Sequence, residues 1–77
     1  MLIIIEHSGS ETHNKEVQEI AYLLEDTYGA TVQPVVADEG SSIILRDENL
    51  NIITEFPNKP DDDIIHFYIG TYSFDED

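Results

Sequence analysis

The 77-residue chain has no cysteine, four glycines and only three basic side chains, Lys15, Arg46 and Lys59. Without cysteine there is no disulfide, no thiolate metal site and no thiol catalysis, and redox chemistry says nothing about the compartment. Scarce glycine removes other chemistry. Gly9 alone cannot form a phosphate cradle, which needs several glycines and usually a lysine. No Gly-x-Ser-x-Gly elbow presents a serine nucleophile, and the loops offer no evident oxyanion hole. No apolar run approaches the roughly twenty residues of a membrane-spanning helix. The opening run, residues 1–6, lacks a basic region and ends at Glu6, so it reads as a strand rather than a signal peptide. The expectation is a soluble, cytoplasmic protein without enzymatic activity or cofactor.

What the chain has in excess is carboxylate. Seventeen Asp and Glu residues give a formal net charge of −14, and they run from Glu6 to Asp77 instead of gathering in a tail. Such a surface repels phosphate backbones and anionic lipid and attracts basic proteins. Direct nucleic-acid or membrane binding is therefore not expected. A protein partner with a basic surface is.

Apolar blocks at residues 2–5, 43–45 and 64–69 are too dense for a disordered acidic tail, so the chain should fold, with residues 1–77 as one domain. Its core will be thin. A second copy is one way for so small a core to gain stability, which leaves homodimerisation open. After the first strand, Thr12 and Asn14 are candidate helix caps. Val17, Ile20, Ala21 and Leu24 then follow at helical spacing, and Gly29 closes the helix after Tyr28. Residues 30–36 resume a strand, which Pro34 confines to an edge. After a loop at residues 38–41, the runs 42–45 and 51–55 flank Asp47, Glu48 and Asn49 as a hairpin. A last element starts near Ile64. Ile64, Ile65, Tyr68, Ile69 and Tyr72 would share one helical face, while the density of Ile, Phe and Tyr favours a strand; the helical reading is taken. The acidic end, residues 75–77, reads as frayed. The result is a small α/β (α+β) layout, β-α-β-β-β and then helix.

With a right-handed crossover joining the first two strands, that order is half of a thioredoxin-like layout. Ile3, Ile4 and Ile5 stand for a first strand, Ser8, Gly9, Ser10 and Glu11 fall where a redox tetrad would be, and Phe56 and Pro57 precede the final element. In this the chain resembles the selenoprotein W or Rdx family of thioredoxin-like proteins. The resemblance covers most of the chain and rests on element order and apolar positions. It implies a family redox loop, yet a serine hydroxyl cannot replace the thiolate that attacks a disulfide. The resemblance therefore implies a fold kept for binding.

Three constellations remain. Glu6, His7, Glu11 and His13 could supply nitrogen and oxygen ligands to a divalent metal, though their spacing matches no established motif; a metal-responsive module built on His7, Glu11 and His13 is one alternative function. Asp61, Asp62 and Asp63 lack the alternating ligands and glycine of a calcium loop. Ser8, Ser10 or Ser41 with His7, His13 or His66 lacks the surroundings of a serine hydrolase, and His66 reads as a partly buried structural residue. The leading expectation is a non-enzymatic acidic binding protein, an inhibitor or nucleic-acid mimic that docks in a basic groove; small phage-encoded inhibitors are similar in size and charge. Glu16, Glu19, Glu25 and Asp26 on the helix, with Asp61, Asp62 and Asp63, are the expected contact residues. Exposed Tyr22, Tyr68 or Tyr72 would anchor the contact. The other alternative is a degenerate thioredoxin-like domain that binds a protein or ligand through residues 8–11.

Overall fold

Along the first strand, β1 (Leu2–His7), buried and half-buried residues alternate, which puts Ile3, Ile5 and His7 on one face of the sheet. The computed structural model describes residues 1–37 and 42–75, with side chains described through Thr71. Beyond β1 the elements are α1 (Glu11–Tyr28), β2 (Thr31–Val36), β3 (Ile43–Arg46), β4 (Ile52–Phe56) and α2 (Asp62–Asp75). The four strands form one mixed sheet in the order β2-β1-β3-β4. β1 pairs with β2 in parallel, whereas β3 is antiparallel to both β1 and β4. A parallel pair needs a long crossover, and α1 supplies it. β2 is an edge strand, as Pro34 requires, because proline has no amide to donate to a second neighbour. The fold is α+β, a four-stranded sheet with two helices.

Both helices cover the same face. Ile3 and Ile5 of β1, Ile43 and Leu45 of β3, and Phe56 of β4 form one core with Val17, Ile20 and Leu24 of α1 and Ile65 and Ile69 of α2. Residues paired across strands share a side of the sheet, so the register gathers Leu2, Ile4, Glu6, Thr31, Gln33, Val35, Ile44 and Arg46 on the opposite side. Glu6 and Arg46 are diagonal neighbours there and form an ion pair at 3.5 Å. The described residues thus form two layers, with both helices on one side of the sheet.

The start of α1 differs from the expected one. Ser10, not Thr12 or Asn14, is the cap: its Oγ accepts the His13 amide at 3.1 Å, and the helix begins at Glu11. The reason is local. β1 continues to His7, and Gly9, at φ +83, turns the chain within two residues, so Ser10 is already at the helix entrance. Asn14 instead donates its side-chain amide to the Gly9 carbonyl at 3.3 Å. The other end follows expectation. Gly29 is left-handed; its N–H donates to the Glu25 carbonyl at 3.1 Å, and the Ala30 N–H donates to the Leu24 carbonyl at 3.3 Å.

The β3–β4 turn is organised by Asp47, whose carboxylate accepts the amides of Asn49 at 2.8 Å and Asn51 at 2.9 Å. The last element is a helix. Among its described side chains Ile65 and Ile69, four apart, are the buried ones, while Ile64 and Tyr68 stay 41% and 37% exposed, so the apolar face there is narrower than expected. α2 also starts earlier than Ile64 and runs to Asp75. Residues 76–77, the Tyr72 side chain and the loop at residues 38–41 lie outside the described residues and side chains.

Candidate functional site

The expected contact residues are carried by the helix layer. On α1, Glu19, Glu25 and Asp26 are exposed and point away from the core formed by Val17, Ile20 and Leu24. Tyr22 lies among them, three residues after Glu19 and three and four before Glu25 and Asp26, and is 66% exposed. That spacing places one aromatic ring inside a helical patch of carboxylates. No ion pair among the described residues engages these carboxylates: Arg46 pairs with Glu6 and Lys59 with Asp62, and Lys15, exposed one turn before Glu19, forms no ion pair with any of them.

Glu16 departs from the expectation. Its carboxylate accepts the Lys59 amide at 3.0 Å and the Asn58 side-chain amide at 3.3 Å. It is a tether, occupied inside the molecule. His13 adds a second tie to the same segment through Nε2 and the Pro57 carbonyl at 3.2 Å. These contacts draw residues 57–60 against the first half of α1 and so bring the exposed Asp61, Asp62 and Asp63 to the helix layer. Lys59 Nζ partly offsets Asp62 at 3.0 Å. α2 joins α1 through the Tyr28 hydroxyl and His66 Nδ1 at 2.8 Å, which accounts for the half-buried His66.

The β1–α1 loop is a hydrogen-bonded unit. His13 is 6% exposed and its Nδ1 meets Ser8 Oγ at 2.9 Å. His7, 4% exposed, accepts the Gly9 amide through Nδ1 at 3.1 Å. Its pKa is lowered from 6.5, first by burial and second by the nearby His13. Both His13 nitrogens are therefore engaged inside the protein, and Glu11 is exposed on the first turn of α1. Among the described residues no group of three His, Asp or Glu side chains is arranged to hold a metal ion. The ligand set of the alternative metal-responsive reading, His7, Glu11 and His13, is not assembled.

A further feature had no sequence signal. Phe67 and Tyr68 of α2 and Ile52 and Ile53 of β4 line a cavity of about 340 Å³ with Asp47, Asn51 and Thr71. Phe67 is 67% and Ile52 57% exposed at its mouth. Only tertiary packing brings these residues together. No helix among the described residues is long and apolar enough to cross a membrane. No family model matches the chain, and no curated protein or solved structure matches it either.

Proposed function

We propose that the protein is an acidic binding protein whose helix layer docks on a basic surface of a partner protein, one that ordinarily holds nucleic acid, and thereby inhibits or recruits it. The observation that carries this reading is the exposed ring of Tyr22 among Glu19, Glu25 and Asp26, with no ion pair among the described residues neutralising them. Carboxylates at the rim speed encounter with a basic groove, and a buried aromatic supplies the anchor. Asp61, Asp62 and Asp63 extend the same negative surface across the tethered segment. Glu16 is removed from the contact set because its oxygens hold that segment in place.

The test is a partner captured at low salt, identified, and then titrated with wild-type protein and with Glu19→Lys, Glu25→Lys and Asp26→Lys combined. Affinity should fall steeply as ionic strength rises, and the triple variant should lose at least about tenfold, or 1.4 kcal/mol. Salt-insensitive binding, or full affinity in the triple variant, removes the reading.

A second reading, a thioredoxin-like binding domain without redox chemistry, is supported by the parallel β1–β2 pair and the α1 crossover, with residues 8–11 at the head of α1. It expects ligand contact at that loop. Binding that survives replacement of Ser10 and Glu11 by alanine would count against it.

A further inference from the structure

The β1–α1 loop holds an arrangement that goes beyond docking. A carbonyl oxygen can only accept, so His13 Nε2, 3.2 Å from the Pro57 oxygen, carries the hydrogen. In the neutral ring Nδ1 is then a lone-pair acceptor, and the Ser8 hydroxyl, 2.9 Å away, donates to it. A hydroxyl, a base and a group that orients the base thus stand in hydrogen-bond sequence, the relation that activates a serine. The ring is fixed. Its backbone lies in the first turn of α1, capped by Ser10, and its side chain is almost wholly buried. Ser8 is only half-buried, so reagents can reach it.

The surroundings favour negative charge on oxygen. The Ser10 amide donates to Ser8 Oγ at 3.3 Å. The next two amides, of Glu11 and Thr12, belong to the first turn of α1, and no hydrogen bond among the described residues engages them. Such amides, at the positive end of an eighteen-residue helix, are suited to receive a developing oxyanion.

We propose that Ser8 is a nucleophile toward acyl esters, with His13 as its general base and the Pro57 carbonyl as the positioning group. In the first step Ser8 Oγ forms a bond to the acyl carbon and its proton passes to His13 Nδ1. The ester C–O bond then breaks, and His13 returns the proton to the departing alkoxide. Water, deprotonated by His13, next attacks the acyl-serine; its carbonyl–Oγ bond breaks, and the proton goes back to Ser8. The acid and the alcohol leave, and no oxidant or reductant is consumed. The substrate is a neutral or cationic ester, because the exposed Glu11 follows Ser8 by three residues and the net charge of −14 repels anions.

Two experiments on the full chain test this. The first is exposure of folded protein to a fluorophosphonate, which bonds phosphorus to an activated serine oxygen and expels fluoride, followed by peptide mapping. Ser8 should be modified in preference to Ser10 and Ser42, and His13→Gln should slow the reaction at least about tenfold. His13→Gln is able to disturb the loop as well as the chemistry, so the second experiment keeps His13. Ser8→Cys introduces the chain's one thiol, and iodoacetamide should alkylate it at neutral pH at least about tenfold faster than the thiol of Ser42→Cys, which is equally half-buried but away from any helix N-terminus or histidine hydrogen bond. An unmodified Ser8 in folded wild-type protein overturns the proposal. So does a Ser8→Cys thiol no more reactive than that of Ser42→Cys, since a thiol that His13 does not activate would react like any other half-buried one. Neither readout involves the acidic patch, so failure here leaves the docking reading standing.

Discussion

Replacing Glu16 by alanine should destabilise the protein, whereas the same change at Glu19 should not. Glu16 accepts a backbone amide at 3.0 Å and a side-chain amide at 3.3 Å, both from the segment that precedes α2. A hydrogen bond to a charged group contributes about 1.5 to 3 kcal/mol, and the half-exposed setting and the longer second contact put this pair near the lower end. Removing one carboxylate from a chain of net charge −14 returns only a few tenths of a kcal/mol by relieving repulsion. The net loss is about 1 kcal/mol, which in a domain of this size lowers the melting temperature by about 4 to 8 °C. The Glu19 side chain is exposed and makes no hydrogen bond or ion pair among the described residues, so Glu19→Ala should leave the melting temperature unchanged or raise it slightly. Thermal denaturation followed by circular dichroism at fixed ionic strength decides the matter. Glu16→Gln, which keeps one acceptor oxygen, should fall between the two. Equal melting temperatures for Glu16→Ala and Glu19→Ala would refute the division between a tethering carboxylate and a displayed one.

Other consequences concern the loop and the core. A Cβ at Gly9 would meet Val36 Cγ1 at 2.9 Å in a left-handed backbone, whereas one at Gly29 would meet nothing within 4 Å. Gly29→Ala should therefore cost about 1 kcal/mol in urea denaturation and Gly9→Ala distinctly more, and equal losses would contradict the packing described. Ile69→Ala removes a fully buried side chain that joins α2 to the sheet and should cost about 2 to 5 kcal/mol; a negligible change in urea midpoint would mean α2 is not docked. His7 has a folded pKa below its ordinary 6.5, so its contribution is present above that value and is lost as pH falls from there through the folded pKa. The melting temperature should decline as the solution becomes mildly acidic, before carboxylates titrate, and His7→Gln should flatten that decline. A slope unchanged in His7→Gln would assign the effect elsewhere.

Much of the scaffold was legible because it depends on neighbours in sequence. The spacing of Val17, Ile20 and Leu24, the stop at Gly29, the edge position forced by Pro34 and the turn at Asp47 are each local arguments, and each has its structural counterpart. The sequence points to Thr12 and Asn14 and passes over Ser10, because three side chains of similar capping ability lie within five residues. What chose between them was the extent of β1 and the turn at Gly9. α2 could be read either way, and packing of Ile65 and Ile69 against the sheet selects the helix over the strand preference of its residues. The site was less legible. Glu16 meets Asn58 and Lys59 across more than forty residues, and His13 meets Pro57 across 44, so no spacing in the sequence announces either contact. Ser8 and His13 are only five apart, yet their pairing depends on the turn at Gly9 and the buried ring.

The central claim is that carboxylates matter by position on the helix layer and not by total charge. A variant that combines Glu25→Gln and Asp26→Asn with Thr31→Glu and Gln33→Glu keeps the net charge while moving two negative groups to the uncovered side of the sheet. With its fold confirmed by circular dichroism, titration against the captured basic partner is the most direct test. A loss of about tenfold or more relative to wild type is the predicted result. Undiminished affinity would contradict a recognised pattern and leave only bulk charge.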